Sequence, residues 1–134
     1  MANATDVHQE MFDAVKRKDF TALRKTYHPD YLYMGPDGVE QKGAEAGVAV
    51  AEMYTTAFPD LALEIRHQCT SNNDVSVMEL TVRGTHRAEL EGIPATGKKV
   101  EMVVCNVVEI RDGKVYRERE YYDNLTMMQQ LGVK

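Results

Sequence analysis

Residues 100–122 read VEMVVCNVVEIRDGKVYREREYY. Two β-rich runs, 100–110 and 115–122, flank the dipeptide Asp112-Gly113, and such a dipeptide between two strands is a strong signal for a tight β-hairpin. The first run carries apolar residues on both of its faces. One face can line a core or a pocket, and the other face then needs a separate cover. We expect a second subunit to supply it, in a homodimer through the sheet.

Outward from this hairpin, the chain divides into a helical first half and a β-rich second half. The predicted elements are helices starting near Asp6 and Asp19, a short hairpin within 31–41, a helix over 43–58, strands over 61–69 and 75–90, and a last helix over 124–131.

Segregated helices and strands of this kind predict an α+β domain, and strands of such length twist and bend. We expect a single domain over residues 1–134. Its predicted fold is a cone-shaped barrel of a strongly curved, mainly antiparallel sheet, packed against three N-terminal helices and enclosing a pocket.

Composition narrows the function classes. The formal charge of −5 and the pI of about 5.4 argue against nucleic-acid or anionic-membrane partners, which need a basic face. No signal peptide, membrane-spanning run, phosphate-binding loop, nucleophile elbow or zinc motif is evident, so we expect a cytoplasmic protein without cofactor or metal. Cys69 and Cys105 lie in apolar stretches and are expected to be buried free thiols.

Six short motifs in the second half resemble the SnoaL-like polyketide (ester) cyclases. In chain order they are Phe58-Pro59-Asp60-Leu61, Gly84-Thr85-His86, the run 92–100, the run 110–115, Tyr122-Asp123-Asn124 and Gln129-Gln130-Leu131-Gly132. The resemblance runs from about Phe58 to Gly132, and the helical first half agrees with it in layout.

The resemblance implies a cone-shaped α+β fold, often dimeric through its sheet, and a cofactor-free acid/base reaction on a small carbonyl or ester compound. The reaction it implies is ring closure by intramolecular aldol addition. It also implies that Asp123 acts as the catalytic acid/base and that His86 lies near the pocket.

Alternation along the last strand places Val115, Arg117, Arg119, Tyr121 and Asp123 on one face. If Asp123 faces the pocket, Arg119 and Tyr121 face it too and can bind substrate. An aspartate in an apolar pocket has a raised pKa, which suits it to accept a proton from carbon. The alternative is that Asp123 caps the helix that follows it.

Arg119 departs from the family pattern, which commonly has an aromatic residue at this place. Its guanidinium could clamp an anionic ligand, pair with Asp123, remain solvated, or pair within the sheet, for example with Glu79. Glu79 also departs from the family, which often has arginine there.

Four other residues are candidate site groups. His86 is either a catalytic helper or a structural hydrogen-bonding group. Asn106 interrupts an apolar run and must find buried partners, so it is either a core residue or a ligand group. Tyr33 and Tyr54 could line the mouth of the cavity or lie in the core.

Other reactions on the same fold fit less well. Ketosteroid isomerases need an aspartate before a proline and a tyrosine in the first helix, where this chain has Gly35 and roughly Met11. An epoxide hydrolase would need an arginine and two aspartates around a water, for which Arg119 and Asp123 are partial candidates. A non-catalytic binding module, similar to nuclear transport factor 2, is the rival from another class.

Overall fold

The computed structural model describes residues 3–133. Its helices are α1 (Ala4–Arg17), α2 (Phe20–Thr26), α3 (Ala44–Ala57) and α4 (Asn124–Leu131). Its strands are β1 (Tyr27–Met34), β2 (Glu40–Lys42), β3 (Ala62–Ser71), β4 (Val75–Thr85), β5 (Lys99–Arg111) and β6 (Lys114–Tyr121).

The six strands form one curved sheet in the order β2-β1-β6-β5-β4-β3. All neighbours are antiparallel except β1 and β6, which are parallel. The sheet does not close, because β2 and β3 remain its two edges. The predicted α+β class and the three N-terminal helices are confirmed, and the barrel is an open, curved sheet.

The helices cover the inner face of this sheet. α1 packs against β3, β4 and β5, α3 packs against β1, and α4 packs against β5. α1 turns the buried side chains of Val7, His8, Met11 and Phe12 toward the sheet, which is the apolar stripe expected of a helix on a core. The core therefore lies between the helices and the concave side of the sheet.

The hairpin predicted at Asp112-Gly113 is confirmed. Both residues have positive φ, at 55° and 73°, as a type I′ turn requires. Beyond the turn the pairing is irregular: Ile110 pairs with Val115, but Glu109 pairs with Arg117. Tyr116 is thus an extra residue, a β-bulge, and every later side chain of β6 changes face.

The cation–π contacts of two arginines hold the bulge residue on the outside of the sheet. The guanidinium carbon of Arg111 lies 3.8 Å from the ring centroid of Tyr116, and that of Arg117 lies 4.4 Å from it. The ring of His28 meets the same tyrosine edge-on at 5.1 Å. Arg111 and Arg117 are close to Tyr116 in the chain, whereas His28 comes from β1, so the bulge combines local contacts with a distant one.

Some predicted boundaries differ from the structure. The strand expected over 75–90 ends at Thr85, because the chain then leaves the sheet for the loop 86–98. The cysteines are free, as expected, but Cys69 is exposed and Cys105 is half-buried. Within residues 3–133, no helix is both long and apolar enough to cross a membrane.

Candidate active site

A cavity of about 110 Å³ lies between the inner face of the sheet and helices α1, α3 and α4. Its wall is mostly apolar and is formed by Phe12, Val15, Gly47, Val50, Ala51, Phe58, Leu61, Leu63, Leu80, Val82, Val100, Met102, Val104 and Met127. Its polar groups are Tyr33, Tyr54, Glu118, Glu120 and Tyr122. An apolar cavity with a few convergent polar groups is the usual form of a small-molecule site.

The β-bulge at Tyr116 brings two carboxyl groups into this cavity. After the bulge, Glu118 pairs with Val108 and Glu120 pairs with Asn106, so both glutamates share the inner face of β5 and β6.

Glu118 is 7% exposed, and both oxygens of its carboxyl group accept a hydrogen bond. The hydroxyl of Tyr31 donates to Oε1 at 2.5 Å, and Nδ2 of Asn106 donates to Oε2 at 2.9 Å. Burial raises the pKa of Glu118 to about 7, and the charge of Glu120 adds to this effect, while the two hydrogen bonds oppose it.

Glu120 is half-buried and closes the polar end of the cavity. Its Oε1 accepts the hydroxyl hydrogen of Tyr33 at 3.1 Å, and its Oε2 accepts from Nδ2 of Asn106 at 3.0 Å. Burial raises the pKa of this carboxyl as well, against the opposing effect of these two bonds. The amide nitrogen of Asn106 therefore donates a hydrogen bond to each of the two carboxyls. Two carboxylates so close together repel each other, which favours a pair that shares one proton.

Two tyrosines form a second polar group beside the acid pair. The hydroxyls of Tyr54, from α3, and Tyr122, which follows β6, are hydrogen-bonded to each other, and both side chains line the cavity. Burial raises the pKa of Tyr122 to about 12 and that of Tyr54 further, so both hydroxyls remain neutral donors. Such donors can stabilise charge that develops on a substrate oxygen.

Comparison with known proteins identifies the family of this chain. The family model of the SnoaL-like polyketide cyclases matches residues 5–131. The chain belongs to the SnoaL-like polyketide cyclase family.

One curated relative and two solved structures are similar to this chain over most of their length. The chain is 27% identical to the aklanonic acid methyl ester cyclase DnrD of Streptomyces peucetius, over 98% of this chain and 92% of that protein. Among solved structures, IdmH of Streptomyces antibioticus, provisionally assigned as a polyketide cyclase, is 27% identical with a TM-score of 0.82, covering 97% of this chain and 99% of IdmH. AclR of Streptomyces galilaeus, provisionally assigned as a hydroxylase, is 26% identical with a TM-score of 0.84. The match covers 98% of this chain and 85% of AclR.

In this SnoaL-like protein the structure places Asp123 outside the cavity. Its side chain is exposed and caps α4, where Oδ1 accepts from the backbone N–H groups of Leu125 and Thr126 at 3.0 and 3.2 Å. These bonds and the hydroxyl of Thr126 lower the pKa of Asp123. The expectation that Asp123 faces the pocket is therefore wrong. Its role as the catalytic acid/base is untested by this placement and stays a prediction.

Arg119 and Tyr121 were also expected on the pocket face, and the structure places both on the outer face. Arg119 forms an ion pair with Glu109 on β5, not with Glu79 or Asp123, and the side chain of Tyr121 is 45% exposed. The physical reason is the bulge at Tyr116, which breaks the alternation on which that expectation depended.

His86 is fully buried behind the cavity wall. Its Nδ1 accepts the backbone N–H of Thr96 at 3.2 Å and lies 3.0 Å from the hydroxyl of the same residue, and its ring packs against Phe58 at 5.6 Å. Among the residues that the structure describes, its Nε2 has no hydrogen-bond partner. His86 is not a lining residue, and it ties the loop 86–98 to the sheet.

The other predicted site residues lie at the cavity. Tyr33 and Tyr54 line it, and Asn106 lies directly beneath the two carboxyls. The sequence interpretation missed Glu118 and Glu120. The available signal was Asn106: a buried amide in an apolar strand needs partners, and acidic residues on the neighbouring strand can supply them.

Proposed function

We propose that this chain is a cofactor-free acid/base enzyme that closes a ring in a polyketide ester by intramolecular aldol addition, with Glu118 and Glu120 as its acid/base pair. The observation that supports it is a pair of carboxyls at the end of an apolar cavity, bridged by the amide nitrogen of Asn106. Such a pair supplies an acid and a base together.

In the proposed reaction, the acid pair accepts one proton from the substrate and later returns one proton to it. The ionised carboxyl of Glu120, the more exposed of the two, removes a proton from the carbon beside the substrate carbonyl. The resulting enolate attacks a second carbonyl carbon, and a carbon–carbon bond forms. The oxygen of that carbonyl then takes a proton from the pair, and Tyr54 and Tyr122 stabilise the enolate oxygen.

Turnover of Glu120→Gln and Glu118→Gln tests this proposal. The substrate to try first is aklanonic acid methyl ester, which the name of the relative DnrD provides. Loss of a general base typically costs about two to four powers of ten in rate. A matched control is Glu40→Gln on β2, which changes an exposed carboxyl and should leave turnover intact.

Deuterium uptake into the substrate measures proton abstraction separately from ring closure. In D₂O the parent should exchange the acidic hydrogen of the substrate for deuterium even with analogues that cannot cyclise, and Glu120→Gln should not. Undiminished exchange and turnover in Glu120→Gln would refute the assignment of Glu120 as the base. Absence of both exchange and turnover in the parent would favour a non-catalytic binding module. The epoxide-hydrolase alternative has less support, since the described lining residues include no arginine and no aspartate.

Independence from cofactors and a cytoplasmic location both stay predictions. Turnover should survive gel filtration and dialysis against a strong chelator, because the proposed acid, base and hydroxyl donors all come from the chain itself. Activity that returns only when a metal or an organic cofactor is added would contradict this part of the proposal.

We also propose a homodimer that forms through the outer face of the sheet. On this face Val77 pairs with Val107, and Cys105 pairs with Tyr121. Val103, which is 57% exposed, lies two residues before Cys105 on the same face of β5. Solvent-exposed apolar rows of this kind favour a second subunit as their cover.

Sedimentation at micromolar concentration tests the dimer. Val103→Lys should shift the protein to monomer, because it places a charge in the middle of the apolar face. The control Val39→Lys changes a similarly exposed valine, 54% exposed, near the β1–β2 turn and should leave the dimer intact. A monomeric parent would refute the proposed assembly.

A further inference from the structure

His8 on α1 is fully buried and makes a hydrogen bond with each ring nitrogen. Nδ1 lies 2.7 Å from Oγ of Ser76 on β4, and Nε2 lies 2.8 Å from Oδ1 of Asn106 on β5. Neither Ser76 nor His8 lines the cavity, so substrate does not contact this histidine. Its contact with Asn106 nevertheless connects it to the acid pair.

The directions of these hydrogen bonds follow from the chemistry of the groups. An amide nitrogen only donates, and Nδ2 of Asn106 uses its two hydrogens on Glu118 and Glu120. Oδ1 of Asn106 therefore faces His8 and must accept, so the ring hydrogen of His8 is on Nε2.

The same reasoning continues outward from the ring. Nδ1 of His8 then carries no hydrogen and accepts the hydroxyl hydrogen of Ser76. Oγ of Ser76 in turn accepts from Nε2 of Gln68 on β3 at 3.0 Å. Every donor in this chain of bonds points toward the two carboxyls, from Gln68 at the edge strand to Asn106.

We propose that His8 is a positioning residue for the acid pair: it holds the amide of Asn106 in the orientation that directs both N–H bonds at Glu118 and Glu120. Without that partner, the amide can rotate and present its oxygen to a carboxylate. The catalytic consequence rests on the proposed function, but the positioning itself can be measured without a substrate.

Several other ionisable groups face the acid pair and must be separated from His8. The hydroxyls of Tyr31 and Tyr33 reach it from β1, and those of Tyr54 and Tyr122 lie beside it on α3 and after β6. Burial raises the pKa of each of these tyrosines, and it lowers the pKa of His8 to about 4, so none of the five changes charge near pH 7. Of the groups named at the acid pair, Glu118, with a pKa of about 7, is the one expected to titrate there.

Carbon-13 NMR of protein labelled at the glutamate carboxyls can follow this titration, with Glu118→Gln and Glu120→Gln assigning the signals. In His8→Leu the midpoint at which the pair first ionises should rise by about one pH unit, since a hydrogen bond to a charged group is weakened. His8→Gln offers an N–H at the position of Nε2 and should restore the parent midpoint. His67→Leu, which removes an exposed histidine from β3, is the matched control.

An unchanged midpoint in folded His8→Leu would overturn the proposal, and so would an equal rise in His8→Gln. A second measurement needs no variant: long-range proton–nitrogen spectra of the parent at pH 7 should show His8 neutral with its hydrogen on Nε2. A hydrogen on Nδ1, or a charged ring, would also overturn it. Because neither experiment uses substrate, failure here is distinct from retained turnover in Glu120→Gln.

Discussion

The pH dependence of stability should reveal the buried carboxyl of Glu118. Replacing it with glutamine keeps the size of the side chain and an oxygen that can accept from Tyr31, but it removes the ability to ionise. The informative quantity is the free energy of unfolding of Glu118→Gln relative to that of the parent, measured as a function of pH.

The magnitude follows from the pKa of Glu118, which is about 7 in the folded chain against an ordinary value of 4.5. Between these values the unfolded chain has released the proton and the folded chain still holds it, so the stability of the parent falls as pH rises. Each pH unit of this interval corresponds to about 1.4 kcal/mol. The parent therefore loses roughly 3 kcal/mol from this group by the time the pH exceeds 7.

His8 acts in the opposite direction. Burial lowers its pKa to about 4 from 6.5, so the unfolded chain binds a proton that the folded chain does not. Its contribution to stability is gained as pH rises from 4 and is complete above 6.5. The two effects partly cancel in the parent, but both chains contain His8, so its effect drops out of the difference. That difference reports Glu118 together with its charge interaction with Glu120.

Urea unfolding followed by circular dichroism, at equal protein concentrations between pH 4.5 and 8, provides the assay. The stability of Glu118→Gln relative to the parent should rise by roughly 3 kcal/mol across this range. Glu40→Gln should give a curve parallel to that of the parent, because its carboxyl is exposed. A parallel curve for Glu118→Gln would refute the reasoning that burial raises the pKa of this carboxyl.

Three further variants test the surroundings of the site. Gly47→Ala would place a methyl group 2.7 Å from the hydroxyl oxygen of Tyr27, so urea unfolding should show a loss of about 1–3 kcal/mol, and unchanged stability would contradict the tight packing. Asp123→Ala should lose about 1 kcal/mol of helix capping, which Asp123→Asn should retain together with turnover. Lost turnover in a stable Asp123→Asn would instead make Asp123 the catalyst. Arg119→Gln should not change the preference between ester and carboxylate ligands in thermal-shift assays, because Arg119 pairs with Glu109 outside the cavity; a changed preference would contradict that placement.

Much of the fold could be predicted because its signals are local. The turn at Asp112-Gly113 depends on two residues that tolerate positive φ, and the order of helices and strands follows from periodicity within each segment. Asp19 caps α2 as expected, with its carboxylate accepting from the backbone of Ala22 at 3.0 Å. Interactions of this kind span a few residues, so the sequence alone contains them.

The identity of the acid pair depended on the tertiary structure. Strict alternation from Val115 would turn Arg119 and Asp123 into the cavity, and one unpaired residue, Tyr116, turns Glu118 and Glu120 there instead. A one-residue shift reverses the faces of a strand, because its side chains alternate with a period of two.

The composition and motifs of this chain by themselves determined an α+β domain of the SnoaL-like family with a pocket against its sheet. They did not determine which face of β6 lines that pocket. The bulge is held by packing among β1, β5 and β6, and the partner of Asn106 on α1 lies 98 residues away in the chain. Contacts at such separations form only when the sheet and the helices come together, so only the folded chain decides which carboxyls are buried.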